Sequence, residues 1–249
     1  PIGKTPPPPP APIPQGGTHR LKFWFMLMRM LARVPEPEVM DGPEEAMAYD
    51  AMDHTEVNQR FTDDALARGE PLGPVLDLGS GNGLIAILLA KRLPGRIVIA
   101  ADASAPMLEL ARKHLVREGL TERVRLDWVR AQALWYHDGI YPLVVSNSLV
   151  HHLADPLPAL REAWRVTQPG GRIFFRDLAR PADEPTLAGL VNRYAEGAPA
   201  RARQLFADSL RAAFTVEEVR SLVGALGCGP ETVTMSSDRH WTWSVTKPR

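Results

Sequence analysis

An apolar run that ends at an aspartate, passes through three alternating glycines and turns at once into a second apolar segment constrains this chain more than any other feature. The run is Val75-Leu76-Asp77-Leu78-Gly79-Ser80-Gly81-Asn82-Gly83, with Leu84 to Leu93 following directly. A short apolar run bounded by turn residues reads as a buried strand, and the longer segment after it as a helix. Glycine adopts backbone angles that other residues avoid and lets the main chain approach a ligand closely. The free amides at the start of the next helix attract a negative group. Strand, glycine loop and helix therefore describe a ligand cradle at one sheet edge.

Two ligands suit such a cradle: the pyrophosphate of a dinucleotide, or the amino-acid end of S-adenosylmethionine. A dinucleotide fingerprint needs its third glycine or alanine two residues after Asn82, and Leu84 stands there. Asp77, two residues before the first glycine, can accept a hydrogen bond from an ammonium group that a pyrophosphate lacks. A second carboxylate, Asp102, closes the run RIVIAAD 19 positions after Gly83. An acidic residue there can hold both ribose hydroxyls in either class of enzyme, so it indicates adenosine without separating the two.

The pattern from Gly73 onward repeats this logic. Apolar runs alternate with amphipathic segments: GPVLDLG, RIVIAAD, RVRLDWV, YPLVVSN and GRIFFRDL are the strands, and NGLIAILLAKRL, SAPMLELARKHLVREG and ADPLPALREAWRV the main helices. Continuous apolar strands separated by helices predict an α/β fold with a doubly wound, mainly parallel sheet covered on both faces. Thr232–Ser236 and Arg239–Thr246 add two strands as an antiparallel pair at one edge, making seven. Asp183–Ala213 reads as a helical insertion after the fifth strand, and Thr215 with Glu218 has capping-box spacing for the helix to Ala225. We place the main domain at 71–249 and the insertion at about 183–213.

Residues 1–17 form a proline-rich tail, extended rather than folded. Residues 18–70 predict a helical lid, with helices at Thr18–Val34, Pro43–Ala51 and Thr55–Arg68, the last capped by Thr55. The first of these, which includes Leu21–Met30, is apolar on most faces with His19, Arg20, Lys22, Arg29 and Arg33 as its cationic residues, so it either packs on the main domain or meets an anionic membrane surface. No stretch is long and apolar enough to span a bilayer. The 29 basic and 29 acidic residues cancel, which argues against a nucleic-acid partner. A single cysteine, Cys228, excludes an intrachain disulfide and fits a cytoplasmic location.

VLDLGSGNG, then ADASAPMLELAR, then VVSNSLVHHLADPLPALREAWRVTQPGGRIFFRDL resembles the class I S-adenosylmethionine-dependent methyltransferases, in particular the group acting on small molecules. The resemblance covers about Gly73 to Asp177. It implies that Gly79, Ser80, Gly81, Asn82 and Gly83 border the methionine portion of the cofactor, with Asp77 near its amino group. Asp102 would hold the ribose, Ala103 and Met107 would line the adenine, and Gln132 with Ala133 would meet the adenine amino group where many relatives carry an aspartate. Asn147 would also border the cofactor, and Tyr49 would fold over it.

Methyl transfer from a sulfonium needs alignment of the acceptor and exclusion of water; a base is needed only if the acceptor must lose a proton. His151 and His152 are the candidate bases or orienting groups, because imidazole titrates near neutral pH. Ser148, Arg176 and Asp177 are candidates for contact with the acceptor, and Ser146 should reach the same crevice. No metal-ligand cluster stands out in the sequence. Trp128, Trp135, Trp164 and Trp243 read as packing groups, and DRHW (Asp238 to Trp241) as an ion pair beside a packed tryptophan. A nicotinamide-dependent oxidoreductase and a catalytically idle cofactor-binding subunit are the rival readings.

Overall fold

Alternation along the central strands decides how this molecule is layered. In the computed structural model, which describes residues 31–249 except 38, 40, 41 and 52, Val75 and Leu76 on adjacent positions of one strand join different core clusters, as do Leu143 and Val144. Successive side chains of a strand point to opposite faces, so a strand apolar at every position must be covered on both. Val75, Val98, Leu143, Val145 and Phe174 face one cover, and Leu76, Leu78, Ile99, Val144 and Ile173 face the other.

The strands are β1 (Val75–Leu78), β2 (Val98–Asp102), β3 (Val124–Trp128), β4 (Tyr141–Asn147), β5 (Thr167–Leu178), β6 (Val233–Met235) and β7 (His240–Thr246), in the order β3-β2-β1-β4-β5-β7-β6. The first five are parallel, and β7 runs antiparallel to both β5 and β6. The antiparallel strand thus lies between β5 and the short edge strand β6. Trp241 and Trp243, two positions apart on β7, lie fully buried on one face, with Trp243 edge-on to Phe175 at 5.6 Å.

Eight α-helices are described: α1 (Pro43–Asp50), α2 (Thr55–Leu66), α3 (Leu84–Arg92), α4 (Ala105–Glu118), α5 (Leu157–Val166), α6 (Glu184–Tyr194), α7 (Ala200–Ala212) and α8 (Val216–Gly224). Local chemistry sets their ends. Ser104 Oγ accepts the Met107 N–H at the start of α4, and left-handed Gly119 closes it. Thr215 and Glu218 form the expected capping box. Asp183 caps α6, so the insertion is the predicted pair of helices, with its own apolar cluster of Leu178, Leu187, Leu190, Val191, Ala207 and Leu210.

The N-terminal part departs from expectation in three ways. The proline-rich tail and Leu21–Met30 lie outside the described residues. The helix predicted to Val34 does not reach it: Leu31–Val34 is irregular, with the Leu31 N–H on the Ala182 carbonyl (3.0 Å) and the Val34 N–H on the Arg211 carbonyl (3.1 Å). Partners in the insertion replace the i−4 partners a helix would use. Thr55 is also not the cap of α2; it is the first helical residue, and its N–H donates to Asp53 Oδ1 at 2.9 Å. Finally, Phe61 and Ala65 of α2 belong to the core shared with α3 and the sheet. Fully burying such side chains is worth roughly 1.5–3 kcal/mol for a phenylalanine-sized group. This helix is a cover of the sheet itself, and only 31–51 remains as a strap.

Between β3 and β4 no helix forms. Arg165 of α5 donates to the Leu134 and Tyr136 carbonyls (3.0 and 2.8 Å), and Tyr136 OH donates to Asp127 Oδ2 at 2.8 Å. Those bonds fix the connection as coil. Trp164 and Trp243 pack as read, whereas Trp128 and Trp135 are exposed, at 67% and 64%. Cys228 is buried.

Candidate functional site

The carboxyl ends of β1, β2, β4 and β5 converge where the strand order changes direction, between β1 and β4, and doubly wound sheets bind their ligands at such a point. Gly79, Gly81 and Gly83 all have positive φ, at 70°, 52° and 77°. A Cβ at Gly79 would meet Leu149 at 2.9 Å and one at Gly83 would meet Ala111 at 2.9 Å, so both are also packed closely. Nothing lies within 4 Å of a Cβ at Gly81, which leaves open space over the middle of the loop. The Gly79 and Ser80 N–H groups donate to the Ala101 carbonyl on β2 (2.8 and 3.1 Å), which ties the loop to the sheet.

Asp77 is 1% exposed, and its Oδ2 has no hydrogen-bond partner among the described residues. Burial, then the nearby Asp102 charge, pushes its pKa up to about 8, against a pull downward from the Ala86 N–H in the first turn of α3. Ser80 Oγ is likewise buried without a partner. Two orphaned polar atoms beside an open glycine cradle are what a bound polar ligand leaves behind. Asp102 is differently placed: Oδ2 accepts from the Gly81 N–H and Oδ1 from the Ser104 N–H, both at 2.8 Å. Burial raises its pKa against those amides. It therefore holds the loop as well as facing the crevice, with lone pairs left over for a further donor.

Met107 is buried, and Ala103 is half-buried with its carbonyl accepting from the exposed Trp128 Nε1 at 2.7 Å. Gln132 is half-buried and Ala133 exposed, in the coil after β3. Tyr49 stacks on His54, with ring centroids 4.8 Å apart. Burial, followed by the charges of Asp102 and Asp177, raises its phenol pKa, so the ring sits within electrostatic reach of two strand tips. Asn82 does not present its amide to the loop. Its Nδ2 donates to Asp50 Oδ1 on α1 at 2.7 Å, its carbonyl meets His114 Nδ1 at 3.0 Å, and His114 Nε2 lies 3.3 Å from Asp50 Oδ1. Asp50 and His114 thereby latch α1 onto the glycine loop, a role no motif announced.

Beyond β4 the residues divide. Ser146 turns inward and donates to the Leu78 carbonyl at 2.7 Å, so it does not reach the crevice as expected. Asn147 and Ser148 are half-buried at the strand tip, and Ser148 has φ of 58°, the one non-glycine residue with positive φ among those described. Strain of that kind persists where surrounding structure enforces it, often at a site. A short 3-10 turn, Val150–His152, follows.

Asp177 organises that turn. Its carboxylate accepts the N–H groups of Val150 (2.5 Å), His151 (3.3 Å) and Leu178 (2.6 Å), and His151 Nδ1 lies 2.5 Å from Oδ1. Burial lowers the His151 pKa, but the Asp177 charge and hydrogen bond outweigh it and leave the imidazole above its ordinary value. Burial raises Asp177 and His151 more than reverses it. The two form a buried ion pair. His152, its ring 4.1 Å from that of His151, is pushed down to about 3 by burial and then by the His151 charge. The His151 imidazole thus lies above, and that of His152 below, the ordinary value that motivated the base assignment. The strap supplies the rest: Glu36 Oε2 is 3.4 Å from His152 Nδ1, and Arg33 donates to the carbonyls of His151, Leu153, Ala154 and Ala212.

Arg176 is committed elsewhere. It pairs with Asp64 Oδ2 of α2 at 2.8 Å and donates to Thr242 Oγ1 at 3.0 Å. Asp177, fully buried, is likewise used by the protein rather than presented to an acceptor. Asp238 pairs with Arg193 and Tyr194, as an ion pair beside buried Trp241.

Residues 76–175 match the model of the methyltransferase domain family. A demethylmenaquinone methyltransferase of Thermus thermophilus is 37% identical over 107 residues, 43% of this chain and 48% of the relative. A ubiquinone/menaquinone biosynthesis C-methyltransferase of Xylella fastidiosa is 30% identical over 179 residues, 64% of this chain and 68% of the relative. The chain spans about half the length of several other curated relatives it matches. The plantazolicin methyltransferase BpumL, solved with S-adenosylhomocysteine, aligns with a TM-score of 0.64 over 93% of this chain and 100% of that one at 15% identity. A S-adenosylmethionine-dependent methyltransferase from Aquifex aeolicus gives 0.58 over 82% and 97% at 17% identity. These two likenesses are of fold. Sequence match and likeness of fold agree, and the chain belongs to the class I S-adenosylmethionine-dependent methyltransferases.

Proposed function

We propose that this chain transfers a methyl group from S-adenosylmethionine to a small-molecule acceptor. One observation carries the reading: Asp77 Oδ2 is buried and, among the described residues, unpartnered beside an open, left-handed glycine loop. An uncompensated buried carboxylate is costly, and a ligand ammonium removes that cost. A pyrophosphate would instead bring like charge to Asp77 and Asp102, which disfavours the oxidoreductase reading.

When bound, the cofactor supplies an electrophilic methyl group on sulfur. The chain's own residues then have the following parts. Asp77 accepts from the ligand amino group, with Gly79, Ser80, Gly81 and Gly83 forming the cradle and Asn82 holding it in place through Asp50. Asp102 uses its remaining lone pairs on ribose hydroxyls. Ala103 and Met107 flank the adenine, and the Gln132 carbonyl with Ala133 takes the adenine amino group, without the charge an aspartate would add. Tyr49 and Asn147 close the cofactor space and exclude water. Ser148 is the group we assign to the acceptor. His151 and Asp177 act together to position the turn beneath it, and His152 borders the same wall. Arg176, paired with Asp64, supports β5 rather than touching the acceptor.

The relatives' names favour an aromatic or quinone-like acceptor. The apolar segment Leu21–Met30 is our candidate for contact with the membrane surface where such molecules partition, and we place the reaction in the cytoplasm. Among the described residues no helix is long and apolar enough to cross a membrane. The test is to incubate the protein with S-adenosylmethionine and a panel of quinols, phenols, thiols and amines and to detect S-adenosylhomocysteine by mass spectrometry. Acceptor-dependent product supports the reading. Cofactor binding with no turnover on any acceptor would favour an idle binding subunit.

A further inference from the structure

We propose that Glu36, His151 and His152 form a mononuclear site for a divalent transition metal, with zinc as the reference ion. One ligand atom from each of the three residues lies within 4.8 Å of the others. Two imidazoles and a carboxylate are the donor set that suits zinc, iron(II) or copper(II), and not the all-oxygen surroundings that magnesium and calcium prefer.

What separates this cluster from a chance grouping is that each member has an outer partner. Asp177 Oδ1 holds Nδ1 of His151 at 2.5 Å, which fixes the ring and leaves Nε2 as its second nitrogen. Ser209 Oγ donates to Glu36 Oε1 at 2.9 Å, which leaves Oε2 facing His152 Nδ1 at 3.4 Å. His152 is also hydrogen-bonded to the Pro37 carbonyl. Outer-shell bonds of this kind orient metal ligands and raise their basicity. An ion on His151 Nε2 takes the place of one imidazolium proton and leaves Nδ1–H donating to Asp177, so the ion pair becomes a metal–imidazole–carboxylate arrangement. Three protein ligands leave a coordination position for water or for an oxygen or nitrogen of a second molecule. Glu36 comes from the strap and the histidines from the turn after β4, so an ion there fastens one to the other.

The site stands independently of the cofactor reading. Untagged protein, freed of metal by chelation, is titrated with Zn2+ by calorimetry and with Co2+ by visible absorption. Mg2+ serves as the comparison ion. We expect one equivalent of Zn2+ or Co2+ bound, a cobalt band typical of four- or five-coordinate geometry, and no saturable Mg2+ binding. Glu36→Gln and His152→Ala should each weaken Zn2+ binding by about 10-fold or more. A thermal melt of each variant verifies folding, and the near-isosteric Glu36→Gln keeps the Ser209 partner if the other variant is destabilised. Absence of saturable Zn2+ and Co2+ binding to the folded protein, or unchanged affinity in folded Glu36→Gln, would overturn the assignment. A protein that binds zinc as expected but fails to bind S-adenosylhomocysteine would sink the methyltransferase reading and leave this one standing.

Discussion

At the residue scale the molecule turns on Asp77. Its ordinary pKa of 3.8 is raised to about 8 by burial and by Asp102. A carboxyl group whose folded pKa is raised contributes stability that is complete below pH 3.8 and is lost as pH climbs to about 8. The ligand-free protein should therefore be less stable at pH 8 than Asp77→Asn, with a gap that widens by at most about 1.4 kcal/mol per pH unit between pH 5 and 8. Urea melts at three pH values in that window measure it; parallel curves for variant and wild type would refute it. The same substitution should weaken S-adenosylhomocysteine binding roughly 10- to 100-fold, the worth of one charge-assisted hydrogen bond. Asp177 behaves oppositely, because it is already satisfied by three backbone amides and His151. Asp177→Ala should cost about 3–5 kcal/mol by leaving a buried partner without its countercharge. Denaturant titration reads this directly, and a loss below 1 kcal/mol would show that the pair carries little.

At the scale of elements, α1 matters through its last residues. Asp50 binds the Asn82 amide and His114, and Tyr49 precedes it on the same helix. Asp50→Ala should release the latch and speed S-adenosylhomocysteine dissociation several-fold while leaving the melting temperature within a few degrees. Stopped-flow displacement tests this; an unchanged off-rate would mean that α1 is not a gate. These contacts also show what the sequence could and could not reveal. The strand–loop–helix unit was legible because Asp77, the three glycines and the helix lie within a dozen positions and each has a local physical reason. So were β4, the Thr215 cap and the final hairpin, which rest on neighbours in the chain. Asp50–Asn82 and Asn82–His114 each join residues 32 positions apart, and Glu36 reaches Ser209 across 173. No periodicity or spacing encodes such pairs. The end of β5 placed both Arg176 and Asp177 at the crevice, and no local pattern shows that Asp64 takes one and His151 the other.

At the scale of the molecule, the two-faced sheet and the strap at its N-terminal side are held by different kinds of contact. The core packs α2, α3 and α4 on one face and α5 and α8 on the other, whereas the described residues of 31–51 hold on through polar contacts of Arg33, Glu36 and Asp50 together with buried Ala46 and the packed Leu31. Segments held that way open at lower free energy than apolar cores. Hydrogen exchange should accordingly slow in residues 42–51 when S-adenosylhomocysteine is added, with little change in the interior of β4. Equal protection with and without ligand would place the ligand away from the strap. The most direct test of the central claim is calorimetric titration of S-adenosylhomocysteine near pH 7 in buffers of different ionisation enthalpy. The account predicts one-to-one binding that releases a proton from Asp77 in the wild type and not in Asp77→Asn. A folded protein that gives no binding heat, or identical proton release from both proteins, would contradict it.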